Sequence, residues 1–432
     1  MSERREPGSP ASSERGPSGP AAQPPRADGR SEVRRHRITE AGASHDEREI
    51  EAVVEVLRTT TLDIGPRVEE FERRVAELLA HEHGVMVNSG TSACWLAVDL
   101  LGYEPGDEVI TSPLTFSSDI APLVRNGIIP AFVDVEPDTF QIDVMKIEEM
   151  IGPRTRAIMT PNLVGNCPDW DVIREIADRH QLLVVEDSCD VLDTRLRGTP
   201  TGRRADISVT SFARSHAITA AGNGGLIAMD KPEWFDATLV RRRWGRRSEK
   251  FLFGTEKGSM TRFGELDDGT AYDMIFVFDD LGYNFEPSEI MAAYGLVQLE
   301  KLSEFNARRR HNFALLDEVL AKHDDIAVRP RTLPELETTW MRYPFLLADG
   351  IDRTAVQEFL LERQVPTRMV WTGNILRQPG FARIPHRAPD GGLPNTDRVM
   401  DRGLSLPSHH ALTSDDVGHL VESLSDCMHE FS

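Results

Sequence analysis

The sequence predicts an α/β protein with a large domain built on a mostly parallel, seven-stranded sheet covered by helices, followed by a small C-terminal α+β domain. Two observations lead to this prediction. Short apolar runs alternate with helical stretches over much of the chain, which is typical of parallel sheets with helices on both faces. The chain also has 432 residues and 40% hydrophobic content, which is long for one average domain and sufficient for a sizeable core.

Seven short apolar runs are the predicted strands of the large sheet. They are Val85–Asn88, Glu108–Thr111, Ala131–Val135, Ala157–Thr160, Leu182–Glu186, Ile207–Phe212 and Leu226–Met229. Apolar residues at three- and four-residue steps predict helices over Glu47–Leu57 and Val68–Leu79. Ligands of such sheets bind beyond the carboxyl ends of the strands, often at helix N-termini. Polar residues at those ends are therefore candidates for a site.

Composition divides the chain into three parts. Residues 1–35 are rich in Pro, Gly, Ser, Arg and Glu, which predicts a disordered tail without a catalytic role. Residues 36–285 form the predicted large domain, and residues 286–432 form the small one, beginning with a long helix near Pro287–Lys322. Within the predicted large domain, near its end, Arg241–Asp279 has weak periodicity and many charges, which is typical of a functional or mobile excursion.

Charge and cysteine content argue against several classes of partner. The formal net charge of −21 is unfavourable for a nucleic-acid partner. The four cysteines have spacings that match neither a metal motif nor a disulfide framework, so no metal site is predicted: Cys94, Cys167, Cys189 and Cys427. Without a signal peptide or an apolar run of about 18 residues, we expect a soluble, cytoplasmic protein with no membrane partner.

Three polar segments follow predicted strands. In the segment 88–93, Gly90, Thr91 and Ser92 open a helix, where small residues and free N–H groups favour a phosphate, although an ordinary N-cap uses the same residue types. Asp187 closes a buried strand and is either solvated or a functional anion. Phe116 follows another strand, where a lone phenylalanine is usually part of the core.

A fourth segment, which contains the end of the predicted strand Ile207–Phe212, has a histidine in an informative position. Residues 211–219 read Ser-Phe-Ala-Arg-Ser-His-Ala-Ile-Thr and run into the glycine-rich segment 222–225. This stretch resembles the cofactor-lysine segment of the DegT/DnrJ/EryC1/StrS sugar aminotransferases, in which the lysine of Ser-Phe-x-x-x-Lys holds pyridoxal phosphate as a Schiff base. Here that position is His216. An imidazole cannot form the covalent bond, but a pKa near neutrality would let it move protons. Without the resemblance, His216 would be interpreted as a hydrogen-bonded histidine in a turn.

No lysine follows the strand before His216 with suitable spacing. The lysines of the chain lie in polar helical or loop contexts: Lys146, Lys231, Lys250, Lys257, Lys301 and Lys322.

The resemblance extends from about Arg37 to Leu424 and implies a set of cofactor contacts. It implies that pyridoxal or pyridoxamine phosphate is held by a phosphate-binding turn, an aromatic ring, an anion at the pyridine nitrogen, a serine and an asparagine from a homodimer partner. On this sequence these are Gly90, Thr91 and Ser92, then Phe116, Asp187, Ser211 and Asn284. Asp190 occupies a position where the aminotransferases usually carry Gln or His.

A second signal lies near the C-terminus. Pro366-Thr367-Arg368 and the segment 373–379, Gly-Asn-Ile-Leu-Arg-Gln-Pro, resemble the 3-dehydratase branch of the family, which acts on nucleotide-linked 4-keto-6-deoxyhexoses and has histidine in place of lysine. One version, the CDP-4-keto-6-deoxyglucose 3-dehydrases, carries four clustered cysteines for an iron–sulfur centre. This sequence has no cysteine over Arg246–Phe263, where they would fall, so no such cluster is expected. The other version resembles GDP-4-keto-6-deoxymannose 3-dehydratase and uses glutamate to recharge its cofactor.

The resemblance therefore implies a lyase that removes the C3 hydroxyl of a nucleotide-linked keto sugar, with His216 as the base. Arg368 and Arg377 are candidates for the diphosphate, with Asn374 beside them and Trp244 available to stack on a base or sugar. Two alternatives stay open. One is another keto-sugar deoxygenase or isomerase on the same scaffold, and the other is a non-catalytic homologue that binds a nucleotide sugar.

Overall fold

The structure, a computed structural model, describes residues 38–59 and 61–432, so the predicted tail over residues 1–35 lies outside the described residues. The helices are α1 Glu47–Leu57, α2 Pro66–Leu78, α3 Gly90–Leu101, α4 Ser117–Arg125, α5 Trp170–His180, α6 Pro232–Arg242, α7 Ser248–Leu252, α8 Glu289–Leu320, α9 Arg353–Glu362, α10 Pro394–Arg402 and α11 Ser414–Glu430. The strands are β1 His83–Val87, β2 Glu108–Thr111, β3 Ile129–Phe132, β4 Thr155–Pro161, β5 Leu183–Asp187, β6 Arg195–Leu196, β7 Thr199–Pro200, β8 Ile207–Ser211, β9 Gly225–Met229, β10 Phe263–Glu265, β11 Ala271–Asp273, β12 Ala327–Val328, β13 Leu336–Glu337, β14 Arg342–Leu347 and β15 Gly403–Pro407.

Seven of these strands form the central sheet in the order β1-β9-β8-β5-β4-β2-β3. Strand β9 runs antiparallel to both neighbours, and all other pairs are parallel. The predicted mostly parallel, seven-stranded sheet is confirmed, and each strand lies within a few residues of its predicted position. The prediction succeeds because every strand is largely buried, so each reads as a nearly continuous apolar run.

Successive side chains of the sheet enter two different cores. Val85 and Val87 pack with residues of α3 and α6, whereas Met86 between them packs with residues of α2 and α8. This alternation follows from the two-residue period of a strand. Each fully buried Val, Leu, Ile or Met side chain contributes about 1.5–3 kcal/mol of transfer free energy, so the two cores hold the helices against the sheet and fix the strand ends that carry the site.

A smaller antiparallel sheet, ordered β12-β14-β15, lies in the C-terminal part of the chain. Its strand residues Tyr343, Phe345 and Leu347 pack with residues of α9 and α11, which confirms the predicted α+β character of this region. The 32-residue helix α8 contributes Ala292 to the core of the large sheet and Leu320 to the core of the small one. The proposed boundaries, 36–285 and 286–432, stay a prediction.

The excursion after α6 has more structure than its weak periodicity predicts. It contains α7 and a hairpin of β10 and β11, and it exposes large apolar side chains such as Phe263 and Phe278. None of the described helices is both long and apolar enough to span a lipid bilayer.

Candidate active site

The carboxyl ends of β1, β5 and β8 and the first residue of the antiparallel strand β9 meet at one edge of the central sheet. A cavity of about 330 Å³ opens at this edge. It is lined by residues from both halves of the chain: Ser89, Gly90, Thr91, Phe116, Ser118, Pro161, Leu163, Asp187, Cys189, Asp190, Ser211, Ala213, Ser215, His216, Asn223, Arg368 and Trp371. The structure thus brings together eight of the predicted site residues: Gly90, Thr91, Phe116, Asp187, Asp190, Ser211, His216 and Arg368.

The first helix of this edge begins against a neighbouring strand. Ser89 caps α3, because its Oγ accepts a hydrogen bond from the N–H of Ser92 at 3.1 Å. A Cβ atom at Gly90 would lie 2.6 Å from the Cβ of Ser211, and one at Gly225 would lie 2.4 Å from the backbone of Ser89. Only glycines allow the backbone to approach this closely. Ser92 serves the cap and does not line the cavity, whereas Gly90, Thr91 and the N-terminal N–H groups border it.

Asp187, the last residue of β5, carries a buried carboxyl that pairs with no cationic side chain of the described residues. Its side chain is buried, and its Oδ1 accepts a hydrogen bond from the N–H of Cys189 at 2.8 Å. In the described part of the chain no Lys or Arg pairs with it, and burial raises the pKa of its carboxyl. The carboxyl of Asp119, which accepts a hydrogen bond from Thr115 Oγ1, lies within 4.8 Å. Two buried carboxyls so close favour a shared proton or a bound cationic group.

His216 lies in a turn that follows β8. Its N–H donates to the carbonyl of Ala213 at 3.0 Å, and its imidazole is 15% exposed, lining the cavity. Its Nδ1 is buried and has no hydrogen-bond partner among the described residues. Burial lowers the pKa of His216 to about 4, below the near-neutral value predicted from the sequence. The imidazole is therefore neutral at physiological pH and can accept a proton.

Asp190 lies behind His216, with its Oδ1 3.8 Å from Nδ1. The other oxygen accepts hydrogen bonds from the N–H of Val164 at 2.7 Å and from Nε1 of Trp371 at 2.8 Å. Burial raises the pKa of Asp190 to about 7. Because the imidazole is neutral and the carboxyl holds its proton up to about neutral pH, the two side chains are not an ion pair there.

Two aromatic rings and one arginine form the outer part of the cavity. Phe116 is 51% exposed, so a face of its ring is open to a ligand, and it contacts Trp371 edge to face with ring centroids 5.9 Å apart. Arg368 lines the cavity with a side chain that is 53% exposed and paired with Glu40, its Nε lying 2.6 Å from Oε2. The guanidinium of Arg368 can contact an anionic ligand when the ligand replaces the carboxylate of Glu40.

The remaining predicted residues do not line the cavity of their own chain. Asn374 and Arg377 both bond to Asp397, at 2.8 and 2.7 Å. Trp244 lies 4.6 Å from the guanidinium of Arg246, measured to the ring centroid. Asn284 is exposed, and its carbonyl accepts a hydrogen bond from Asn88 Nδ2 at 3.4 Å.

Some residues of the site are not found by sequence reasoning. Trp371 and Asp119 contact predicted site residues but lie outside the quoted motifs. The only available signal for Trp371 is its place between Arg368 and the segment 373–379. Nothing in the sequence distinguishes Asp119 from a polar residue in the first turn of α4. Within the described part of the chain, no lysine lines the cavity.

Comparison with known proteins agrees with this geometry. A model of the DegT/DnrJ/EryC1/StrS aminotransferase family matches residues 43–425. The chain is 32% identical over 393 residues to the lipopolysaccharide biosynthesis protein RfbH of Salmonella typhimurium, covering 88% of this chain and 89% of that protein. It is 34% identical over 403 residues to dTDP-4-dehydro-2,6-dideoxy-D-glucose 3-dehydratase of Saccharopolyspora spinosa, covering 90% and 86%. The solved structure of E. coli GDP-4-keto-6-deoxy-D-mannose-3-dehydratase with bound hydrated PLP has a TM-score of 0.80 at 25% identity, over 90% of this chain and 99% of that one. The resemblance predicted from the sequence is confirmed, and the chain belongs to the DegT/DnrJ/EryC1/StrS aminotransferase family.

Proposed function

We propose that this protein is a nucleotide-sugar 3-dehydratase that uses pyridoxamine phosphate and removes the C3 hydroxyl of a nucleotide-linked 4-keto-6-deoxyhexose. One observation supports the proposal above all others. The cavity presents a neutral imidazole, His216, where the family's aminotransferases present a Schiff-base lysine, and five of the residues that we propose as cofactor contacts line the same cavity: Gly90, Thr91, Phe116, Asp187 and Ser211.

The residues of the cavity fit such a cofactor. The N-terminus of α3, the close approach at Gly90 and the hydroxyl of Ser211 suit a phosphate. Phe116 offers the face of its ring to a flat heterocycle. The buried carboxylate of Asp187 has no cation of its own in the described chain and suits a protonated pyridine nitrogen. When bound, the cofactor supplies an amine that condenses with a ketone and a ring that withdraws electrons.

The protein's own groups then have distinct tasks. Asp187 keeps the proton on the ring nitrogen, because an anion at that atom stabilises its charged form. The imidazole of His216 accepts a proton from carbon, since its low pKa keeps it unprotonated. Asp190, held by Val164 and Trp371, restricts the imidazole from the Nδ1 side. Arg368 at the outer wall binds the phosphates of the nucleotide.

The overall conversion balances without a partner reductase, because the amino acid that restores the cofactor supplies the two electrons and leaves as its 2-oxo acid. The sugar loses its C3 hydroxyl and becomes a 3-deoxy-4-keto sugar, ammonia is released, and the amine form of the cofactor is converted to the aldehyde form. An amino acid, glutamate in our proposal, restores the amine. We infer this route rather than reduction through an iron–sulfur centre, because the cysteines of the sequence are dispersed and none lies between residues 246 and 263.

We also propose a homodimer that shares its active sites. Asn284 is exposed and does not line its own cavity. The excursion beside it exposes Phe263 and Phe278, and Leu281 just after the excursion is also exposed. A second subunit would cover these apolar side chains. In this arrangement Asn284 of one subunit would reach the phosphate of the other, and Trp244 would lie near the same boundary.

The function is tested with His216→Asn, and with His311→Asn on the exposed side of α8 as a matched control. After borohydride treatment and denaturation, wild-type protein should release all of its cofactor, since no lysine is bonded to it and reduction therefore fixes none of it to the protein. His216→Asn should bind the cofactor but convert no keto sugar, whereas His311→Asn should be as active as the wild type. Turnover by His216→Asn would eliminate the assignment of the base.

Glutamate labelled with heavy nitrogen separates the proposal from its alternatives. A 3-dehydratase gives a nitrogen-free product that is lighter by one oxygen atom, together with labelled ammonia. An aminotransferase would place the label in the sugar. An isomerase would leave the mass of the sugar unchanged, and a non-catalytic homologue would bind the nucleotide sugar without converting it. A panel of keto sugars on different nucleotides identifies the substrate in the same experiment.

A further inference from the structure

Helix α8 carries a buried arginine directly behind the proposed base. Arg309 is 2% exposed, and its Nη2 donates to the backbone carbonyl of His216 at 2.9 Å. Its Nη1 lies 3.5 Å from Oδ1 of Asn306, one turn earlier on the same helix. Nε is buried without a partner, and among the described residues no carboxylate forms an ion pair with this guanidinium. Burial lowers its pKa only to about 10, so the side chain is charged at neutral pH.

An uncompensated buried cation is costly, because each desolvated charge normally requires a partner. The described groups around Arg309 do not supply a partner of opposite charge. His409 and His410, from the segment before α11, face Arg309 and have pKa values lowered by burial and by its charge, to about 4 and about 2. Asp190 and Asn306 border the same narrow internal space as Arg309. The Oδ2 of Asp190, however, accepts its hydrogen bonds from Val164 and Trp371 and not from Arg309.

We propose that Arg309 is a positioning residue for His216: its hydrogen bond to the backbone carbonyl fixes the turn that carries the imidazole, and its charge, which no carboxylate of the described chain pairs with, adds to the effect of burial in disfavouring the imidazolium. The inference rests on the proposed role of His216 as a base. Three groups act on the imidazole: Asp190 at 3.8 Å and the backbone of Cys189, both from the segment after β5, and Arg309 from α8. Burial is the main cause of the low pKa of His216, and the charge of Arg309 acts in the same direction.

Two substitutions separate the charge from the hydrogen bond. Arg309→Gln keeps a donor for the carbonyl but removes the charge, whereas Arg309→Lys keeps the charge in a different geometry. Arg308→Gln and Arg310→Gln are matched controls, because these neighbours on α8 are exposed and bond to Leu412 and Thr339.

The measurement is the NMR titration of the histidine side chains in the full-length protein, before and after pyridoxamine phosphate is added. The signal of His216 is assigned by its loss in His216→Gln. Arg309→Gln should raise the pKa of His216 by about half a pH unit or more, and it should move the acidic limb of the rate profile to higher pH. Arg309→Lys and both controls should leave that pKa near the wild-type value.

An unchanged His216 titration in a folded Arg309→Gln protein would overturn the proposal. If the neutral variant does not fold, the wild-type titration decides, because a His216 pKa at or above the ordinary value of about 6.5 contradicts an imidazole held neutral. The titration needs no substrate. A protein that shows the shift but converts no keto sugar would therefore refute the proposed function and leave the role of Arg309 standing.

Discussion

Substitution of Gly90 by alanine should damage the phosphate end of the site more than its small size suggests. The new methyl group would lie 2.6 Å from Cβ of Ser211, 3.0 Å from its Oγ and 3.1 Å from Sγ of Cys189. Carbon atoms in contact are normally about 3.5–4.0 Å apart, so the overlap with Ser211 is about 1 Å. Ser211 is buried at the end of β8 and cannot rotate away from a contact at its own Cβ. Either β8 or the first turn of α3 must move.

The expected size follows from two opposing terms. Overpacking of a well-packed site costs about 1–3 kcal/mol. Replacing glycine at the start of a helix gains about 0.4–1 kcal/mol, largely by restricting the unfolded chain. We therefore expect Gly90→Ala to lower the free energy of unfolding by about 1–2 kcal/mol. Displacing one donor to a charged phosphate costs about 1.5–3 kcal/mol, so cofactor affinity should fall by about ten- to a hundredfold.

Denaturant unfolding without cofactor measures the change in the free energy of unfolding, and absorbance titration with pyridoxal phosphate measures the change in cofactor affinity. Gly418→Ala is the matched control, because Gly418 lies on an exposed turn of α11 and a Cβ there meets nothing within 4 Å. This control should be stabilised by about 0.4–1 kcal/mol and should bind cofactor as the wild type does. If Gly90→Ala behaved like Gly418→Ala in both assays, the close packing of α3 against β8 would be refuted.

Two further substitutions test buried groups away from the cavity. His410 stacks on Phe305 at 3.9 Å, has both ring nitrogens buried without a partner in the described chain, and has its pKa lowered to about 2. Below about pH 6.5 the imidazole of His410 therefore gains a proton in the unfolded chain but not in the native state. The free energy of unfolding of the wild type should consequently decrease by up to about 1.4 kcal/mol per pH unit as the pH falls. His410→Phe should remove this loss, so its advantage in unfolding free energy should grow from pH 7 to pH 5; a constant difference would contradict the burial of a neutral imidazole. Arg242, fully buried, pairs with Glu72 at 2.7 Å, and Arg242→Met should cost about 3–5 kcal/mol by leaving that carboxylate unpaired. The exposed pair of Arg247 should be worth less than about 1 kcal/mol in the parallel Arg247→Met measurement, and equal costs for the two substitutions would be inconsistent with the structure.

The fold was predictable because its decisive residues are local in sequence. Each strand of the central sheet is a short buried run, and Glu108–Thr111 has the bounds that the sequence predicts. The turn before α3 and the segment that ends at His216 follow their strands directly, so the topology alone brings them to one edge. The excursion could not be predicted in this way, because β10 and β11 are largely exposed and carry no apolar period.

The charges of the site were less predictable, because they depend on partners far away in the chain. Arg377 looked like a free cation for a diphosphate, but it is paired with Asp397. The partner of Arg368, Glu40, is 328 residues distant, and Trp371 bonds to Asp190 across 181 residues. A sequence pattern gives the type of a side chain at a position. It does not give the ion pair that fixes its charge or the burial that sets its pKa.

His216 illustrates why that difference matters for mechanism. An exposed histidine with an ordinary pKa of about 6.5 would be partly protonated at neutral pH, and the protonated fraction could not accept a proton from carbon. Enclosure behind the cavity wall and the nearby charge of Arg309 both disfavour the imidazolium, whereas a close ionised carboxylate would favour it. Asp190 does not provide that stabilisation, because its own pKa of about 7 keeps it largely protonated below neutrality. The replacement of lysine by histidine therefore works together with its surroundings: the imidazole stays unprotonated at neutral pH because burial and the charge of Arg309 disfavour the imidazolium and no ionised carboxylate offsets them.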